Sequence, residues 1–212
     1  MPRTKVYAAA DFENAVSAAA DALQSGKIAA FPTETVYGLG ARITDKSAVM
    51  KIYHAKGRIS EKPLSILISA ADDMSLIADE IPINARKLAE NFWPGPMTLI
   101  LKKKAEISDQ ITAGKETVGL RVPAHPIALE IVRRAGPLAC PSANKSGSRE
   151  PRSAADVLED LDGKIDLLID GGETEIQRPS TIIDLTVTPP KILRTGGLDI
   201  SEIRKCIGEV SE

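Results

Sequence analysis

Three cations lie within seven residues of the chain, at Lys56, Arg58 and Lys62, between a helical pattern and an apolar stretch. Arginine offers a planar fork of donors that suits a phosphate or a carboxylate, and the two lysines add mobile point charges. Pro63 fixes the backbone directly after Lys62 and so restricts where that lysine can point. The chemistry indicated is the binding of an anion, with a solvated charged loop as the alternative.

Two further polar segments follow predicted buried strands. Ser142 and Asn144, with the small residues 146–148 behind them, carry hydroxyl and amide groups that can bind phosphate oxygens or a ribose. The alternative for this segment is a capping turn before the next helix. Residues 33–35, Thr-Glu-Thr, come directly after Pro32 and form either a strand-to-loop turn or part of a site.

Single polar residues also occur within predicted strands. Thr117 and Arg121 are four residues apart, so in a strand both side chains leave the same face. Ser180 opens another strand and Arg194 ends a third. An isolated buried charge is costly, so each arginine needs an anionic partner, either a protein carboxylate or a ligand.

Alternating helical and strand patterns must position these residues. Helical patterns cover residues 11–26, 45–55, 83–92, 126–136, 153–161 and 201–208. Apolar runs between them predict about seven strands in a twisted, mixed sheet flanked by helices. The sequence shows no internal repeat or linker, so we expect an α/β fold with a single domain over residues 1–212 and its core from about 10 to 208.

The composition is that of a folded protein with balanced charge. Hydrophobic residues make up 43% of the 212 positions, and 27 Lys and Arg stand against 29 Asp and Glu, a formal net charge of −2. A surface that coats nucleic acid would need a basic excess, so this balance leaves room only for a local basic pocket. No apolar run reaches the ~18–20 residues that cross a bilayer, and Asp11 and Glu13 interrupt the region where a signal peptide would be apolar. We therefore expect a cytoplasmic protein without membrane contact.

Sequence motifs for several other kinds of binding or catalytic site are missing. There is no GxxxxGK[ST] phosphate loop, and GLGARI departs from a dinucleotide fingerprint at Ile43. His54 and His125 are too few for a histidine-rich metal site, and structural roles are expected for both. Cys140 and Cys206 lie far apart, without the spacing of a metal site or a disulfide framework. The polar clusters suit a reaction driven by positioning and charge stabilisation, such as attack at a phosphoryl group.

The order of these segments resembles one known family. Similarity to the YrdC-type threonylcarbamoyl-AMP synthases is carried by FPTETVYGLG, KGR…KPL, FWPGPMTLIL, VGLRVPAHP, PSAN and STIIDLT…ILRTG. The pairs Lys56-x-Arg58 and Ser142-x-Asn144 resemble the signature of that family. The resemblance implies a YrdC/RibB-like fold with an open cleft and a basic concave face. Because the chain stops near residue 212, it also implies the short form, without the additional C-terminal domain of longer members.

The resemblance implies a nucleotidyltransferase of tRNA modification. Such enzymes join L-threonine, bicarbonate or CO2, and ATP into L-threonylcarbamoyl-AMP and release diphosphate. The carbamate of threonine would attack the α-phosphate, with magnesium on the phosphates and few or no protein carboxylates as ligands. A separate transferase complex would then deliver the threonylcarbamoyl group to the adenosine beside the anticodon of tRNA.

Individual residues acquire expected roles from the same resemblance. Those expected at ATP are Lys56, Arg58, Lys62, Thr117, Ser142, Asn144 and Arg194. Among these, the expected catalytic residues are Lys56, Arg58, Ser142 and Asn144. Those expected around threonine are Thr33, Leu67, Arg121, Cys140 and Ser180, with Arg121 pairing the carboxylate of threonine. Glu150 stands where the family often has a small hydroxyl residue that touches ATP, and a carboxylate there would repel phosphate.

Two alternatives remain open. One is an RNA-binding module, supported by Lys102–Lys104 and the cations of residues 56–62. The acidic net balance and an aromatic content of 3% argue against it, because single-stranded RNA is bound largely by stacking on aromatic rings. The other is a family member that catalyses a changed reaction. The intact pairs Lys56-x-Arg58 and Ser142-x-Asn144 argue against it.

Overall fold

The computed structural model describes residues 3–57 and 62–212. In this part of the chain strands and helices alternate, as the sequence predicts for an α/β protein. The strands are β1 (Lys5–Ala8), β2 (Ala29–Phe31), β3 (Gly38–Arg42), β4 (Ser65–Leu67), β5 (Met97–Lys102), β6 (Thr117–Arg121), β7 (Leu138–Ala139), β8 (Leu167–Asp170), β9 (Thr181–Asp184) and β10 (Lys191–Arg194). The α-helices are α1 (Phe12–Gln24), α2 (Lys46–Lys56), α3 (Met74–Ile77), α4 (Ile83–Phe92), α5 (Asp109–Thr112), α6 (Pro126–Ala135), α7 (Ala154–Leu161) and α8 (Ile200–Ile207), and a 3₁₀ turn spans Ala71–Asp73. None of these helices is long and apolar enough to cross a membrane.

The strands form one sheet, in the order β1-β8-β2-β3-β7-β4-β6-β5-β9-β10. Parallel pairs such as β4–β6 and β5–β9 occur beside antiparallel pairs such as β5–β6 and β4–β7. The predicted mixed sheet is therefore confirmed. The expected number of about seven strands is wrong, because the described residues alone contain ten.

Strand β3 is one of the strands that the sequence pattern did not predict. Its residues, GLGAR, have the glycine content of a loop. In the structure Gly38 pairs with Phe31, and a Cβ on Gly40 would lie 2.9 Å from a ring carbon of Phe31. The glycines thus allow β3 to close against a large ring on β2, so the loop-like composition reflects tight packing rather than a turn.

The helix bounds follow the capping signals closely. Helix α4 spans the predicted residues. Helix α2 begins at Lys46, and the side chain of its N-cap Asp45 accepts a hydrogen bond from the amide of Ala48 at 2.9 Å. The spacing Ser153-x-x-Asp156 in the sequence predicts a capping box, and the structure confirms it at the start of α7. Asp11 occupies the N-cap position of α1, but its side chain makes no capping hydrogen bond.

In the sequence Phe12 shares a helical face with Ala15, Ala19, Ala22 and Leu23, which predicts that it is buried with them, and this prediction is wrong. Phe12 opens α1 and is 40% exposed, so the packed stripe begins one turn later, at Ala15.

The sheet separates two clusters of buried residues. In β2, Ala30 belongs to the larger cluster, while Ala29 and Phe31 belong to the smaller one on the opposite face. Helices α1 and α6 cover the smaller cluster near β2, β7 and β8. The same face continues onto β4, β6, β5 and β9, and there the structure opens into a cleft.

Candidate active site

The cleft consists of a cavity of about 210 Å³ and an adjoining pocket of about 40 Å³. Its two parts share the residues Val36, Leu67, Arg121, Cys140, Pro141 and Ser142. Strand alternation creates the floor: Leu67, Thr98 and Arg121 point into the cleft, while Ile66, Leu99 and Leu120 point into the larger core. A larger hollow of about 470 Å³ lies between β1 and α1, but no predicted site residue lines it.

The structure brings the residues expected around threonine to this cleft. Those that line it are Thr33, Leu67, Arg121, Cys140 and Ser180. They come from positions as far apart in sequence as 33 and 180, so their convergence is a property of the fold.

The residues expected at the nucleotide are only partly in the cleft lining. Ser142 and Arg194 line the cavity, next to Pro63, the residue after Lys62. Thr117 shares a face of β6 with Arg121 but lies at the other end of the strand, outside the described lining. Arg58 lies outside the described residues. The basic character expected of the concave face remains a prediction.

Arg121 forms the most buried charged contact of the cleft. Its Nη2 lies 2.7 Å from Glu34 Oε1, and the two side chains are 9% and 6% exposed. The contact lacks hydrogen-bond alignment, since both Glu34 oxygens have no hydrogen-bond partner among the described residues. Arg121 also donates to Thr35 Oγ1 at 2.9 Å and to the carbonyl of Gly95 at 3.2 Å. Of the two anionic partners that the sequence left open for this arginine, the fold supplies a protein carboxylate.

The hydroxyl of Thr33 forms its hydrogen bonds within its own loop. It donates to the carbonyl of Val36 at 2.6 Å, accepts from the amides of Thr35 and Val36, and lies 2.8 Å from Thr35 Oγ1. Such a turn built on one hydroxyl fixes the backbone around it. Thr33 therefore shapes the wall of the cleft and orders Thr35, which in turn holds Arg121.

The structure corrects the interpretation of Lys56 as a mobile point charge. The residue is 1% exposed, and its Nζ donates to the carbonyls of Ser142 and Asn144 and to Asn144 Oδ1. Asn144 Nδ2 donates in turn to the carbonyls of Ser148 and Arg149, each at 3.0 Å. The ammonium thus lies beneath the loop of residues 142–149 and joins it to the end of α2.

Ser180 and Arg194 form the opposite wall. Ser180 Oγ lies 2.8 Å from Thr98 Oγ1, and Arg194 donates to the carbonyl and hydroxyl of Ser180 at 3.0 and 3.1 Å. Desolvation lowers the pKa of Arg194 from its ordinary value, and the negative charge of Glu150 opposes that shift. No ion pair within 4.0 Å joins Arg194 to another described residue.

Glu34, Thr35 and Thr98 are polar residues in or behind the cleft wall to which the sequence assigned no individual role. The signal for Glu34 and Thr35 was the alternation Thr33-Glu34-Thr35 after a buried strand, which marked the segment without separating its members. For Glu150 the resemblance indicates only a carboxylate that would repel phosphate. His125 has the structural role expected of it, because its Nδ1 accepts from the amide of Ile127 at the start of α6. Desolvation lowers the pKa of His125, while nearby Glu34 acts in the opposite direction.

Cys140 should be the slower of the two thiols to react. Burial raises the pKa of Cys140 to about 12, although the residue borders the cleft and retains partial exposure. Because the thiolate is the reactive form, iodoacetamide at about pH 8 should label Cys206 first and Cys140 only after unfolding. Mass spectrometry of the digested protein measures both. In a Cys206→Ser control, labelling of the folded protein should be nearly abolished, and rapid labelling there would contradict the shielded thiol.

The described residues do not form a metal site of their own. No group of three or more His, Cys, Asp or Glu side chains in this part of the chain is placed to hold an ion. Magnesium on the phosphates of a nucleotide, expected from the resemblance, remains a prediction.

The sequence and the fold match a family of known proteins. The family model Sua5/YciO/YrdC, described as telomere recombination, matches residues 21–196, and the chain belongs to this family. Among curated relatives, the threonylcarbamoyl-AMP synthase of Pyrococcus abyssi is 51% identical over 193 residues, and that of Bacillus subtilis is 44% identical over 197 residues. These alignments cover 91% and 92% of this chain but 57% of each relative, so the chain spans little more than half of their length.

A solved structure gives the same fold. The crystal structure of P. abyssi Sua5 complexed with L-threonine superimposes with a TM-score of 0.91 at 50% identity, covering 93% of this chain and 58% of that one. The mixed α/β fold predicted from the sequence is thus also that of a solved relative.

Proposed function

We propose that this chain is a nucleotidyltransferase that forms L-threonylcarbamoyl-AMP. The observation that carries the proposal is the convergence of Thr33, Leu67, Arg121, Cys140 and Ser180 on one cleft. Two curated relatives named threonylcarbamoyl-AMP synthase and a relative solved with L-threonine support it.

Threonine would occupy the cavity that these residues line. Arg121 is held by Thr35 and Gly95, and its guanidinium still borders the cavity, where it can meet the carboxylate of threonine. Ser180 offers a hydroxyl on the opposite wall, and Leu67 and Cys140 supply apolar surface for the methyl group. The pairing of Arg121 with Glu34 leaves the guanidinium oriented before threonine arrives.

ATP would lie along the rim formed by residues 142–149 and Arg194. Ser142 and Arg194 line the cavity and would contact the nucleotide directly. Lys56 and Asn144 would act by holding that loop in place, since their polar atoms are used within it. Contacts from Arg58, Lys62 and Thr117 are proposed from the family resemblance alone.

The reaction would consume L-threonine, bicarbonate and ATP and yield L-threonylcarbamoyl-AMP, diphosphate and water. The threonine nitrogen takes up the carbon of bicarbonate or CO2 to form a carbamate, whose oxygen attacks the α-phosphate. The bond between the α- and β-phosphates breaks, and its electron pair leaves with diphosphate. Cations at that position would stabilise the departing charge, and the family resemblance suggests Arg58 and Lys62 for this role. Magnesium bound to the phosphates would neutralise part of the same charge.

The product would serve the modification of tRNA. A mixed anhydride of a carbamate and AMP is an activated acyl donor, so a separate transferase complex would be needed to pass its threonylcarbamoyl group to the adenosine beside the anticodon. Direct tRNA binding is not required for the adenylation step.

An RNA-binding module remains the second candidate, and the described lysines weaken it. Lys102 pairs with Glu80 at 3.4 Å, and Lys103 pairs with Asp109 at 3.0 Å. Lys104 donates to the carbonyl of Ser75 at 2.6 Å. Each ammonium of this run already has a protein oxygen as partner, which reduces its attraction for phosphates. RNA affinity that persists with saturating ATP and threonine would favour the module.

The test is product analysis with each amino acid in turn. The purified protein, incubated with ATP, magnesium and ¹³C-bicarbonate, should give labelled threonylcarbamoyl-AMP by mass spectrometry with L-threonine alone. Arg58→Ala should lower product formation by about 100-fold or more, because a charge-stabilising donor is lost, while its thermal unfolding stays that of the wild type. Near-normal turnover by Arg58→Ala would refute the phosphate role. Absence of the labelled adenylate with the wild type would refute the proposed function.

A further inference from the structure

Glu150 places a carboxylate in the wall of the cleft, and one of its oxygens is left without a donor by the described residues. The residue lines the cavity together with Arg121 and Arg194. Its Oε2 is buried and has no hydrogen-bond partner among the described residues. A buried acceptor without a donor costs free energy, so its presence in a cavity wall points to a ligand that supplies the donor.

The backbone around Glu150 is fixed on both sides. On one side, the carbonyls of Ser148 and Arg149 accept from Asn144 Nδ2 at 3.0 Å. On the other side, the carbonyl of Pro151 accepts from the amide of Tyr37 at 2.9 Å. The carboxylate is thus presented from an anchored segment, as a binding group requires.

The charges of the described lining come in opposite pairs. Glu34 contacts Arg121 and offsets its charge from behind the wall. Glu150 acts electrostatically on Arg194, yet the two form no ion pair within 4.0 Å. The described part of the cavity is therefore close to neutral and carries separated positive and negative groups. Between Arg121 and Glu150 this arrangement suits a zwitterion, because the carboxylate of Glu150 would repel a phosphate placed beside it.

We propose that Glu150 binds the α-ammonium group of the amino acid substrate, while Arg121 binds its carboxylate. The inference rests on the proposed function, in which an amino acid occupies this cavity. Glu150 would make the site selective for an amino acid over the hydroxy acid of the same shape. It would also hold the amino nitrogen at a fixed place in the cavity. This nitrogen is the atom that must bond to the carbon of bicarbonate.

The test compares two ligands on two proteins by calorimetry without ATP. L-threonine carries the ammonium, and 3-hydroxybutanoate has the same carboxylate and hydroxyl but no amine. Glu150→Gln should weaken threonine binding by about 10- to 100-fold, the range for losing a hydrogen bond to a charged group. The affinity for 3-hydroxybutanoate should stay unchanged or rise. Glu209→Gln, which removes an exposed carboxylate outside the cavity lining, should leave both affinities as in the wild type.

Each other outcome has a definite meaning. Equal threonine binding by the wild type and Glu150→Gln would overturn the ammonium contact and leave the proposed function standing. A change confined to ATP affinity would overturn it as well, because the carboxylate would then face the nucleotide. A wild-type protein that binds no threonine would refute the proposed function and the contact together. The thermal midpoint of Glu150→Gln should match or exceed that of the wild type, which separates lost binding from lost folding.

Discussion

Arg121→Met should abolish measurable threonine binding and lower the free energy of unfolding by about 3–5 kcal/mol. The large stability effect arises because Glu34, 6% exposed and 2.7 Å from the guanidinium, would be left as an unpaired buried charge. The binding effect arises because the cleft would lose Arg121, the cation that we propose binds the carboxylate of the substrate. Urea denaturation followed by circular dichroism measures the free energy of unfolding, and calorimetry with L-threonine measures the binding affinity.

The double variant Glu34→Met/Arg121→Met separates the two effects. Replacing both partners of a buried ion pair with apolar side chains is often neutral or stabilising, so most of the lost stability should return. Threonine binding should stay absent, since no carboxylate receptor is restored. Recovery of threonine binding in the double variant would show that Arg121 does not contact the substrate. A single Arg121→Met variant as stable as the wild type would show that the ion pair is absent in solution.

Lys56→Met should reduce adenylate formation by about 100-fold and also destabilise the protein. The substitution leaves the carbonyls of Ser142 and Asn144 and the amide oxygen of Asn144 without their shared donor. Each buried polar group left unsatisfied costs about 1–3 kcal/mol, and the loop of residues 142–149 should loosen. Displacement of a positioning segment by about 1 Å can cost about 100-fold in rate.

Hydrogen exchange and steady-state kinetics together test this role of Lys56. Amides of residues 142–149 should exchange faster in Lys56→Met, whereas a lysine acting only on phosphate would leave them protected. Lys145→Met is the matched control, because Lys145 is an exposed lysine on the same loop whose ammonium has no such cluster of acceptors. It should retain wild-type protection and turnover. Unchanged exchange in Lys56→Met would assign the lysine to the nucleotide instead of the loop.

The sequence predicted the helices better than the strands. Helix signals are local: the cap at Asp45, the box at Ser153 and the prolines after Phe92 mark bounds within a few residues of the helix. Strand β3 was missed because its glycines are required by Phe31, a residue on another strand that faces it only after folding. The same reason applies to β1, a polar edge strand whose pairing with β8 joins residues more than 150 positions apart.

By itself, the sequence determined the α/β class, the family resemblance and the residue types available for an anion-binding site. Those properties depend on periodicity and motif order, which are written along the chain. Only the tertiary structure decided which polar groups border the cleft and which bond within the protein. It turned Lys56 inward to the loop of residues 142–149, gave Arg121 a carboxylate partner in Glu34, and left an oxygen of Glu150 without a donor. These outcomes depend on distances between segments far apart in sequence, because a charge becomes buried, paired or available only when the strands that carry it are assembled.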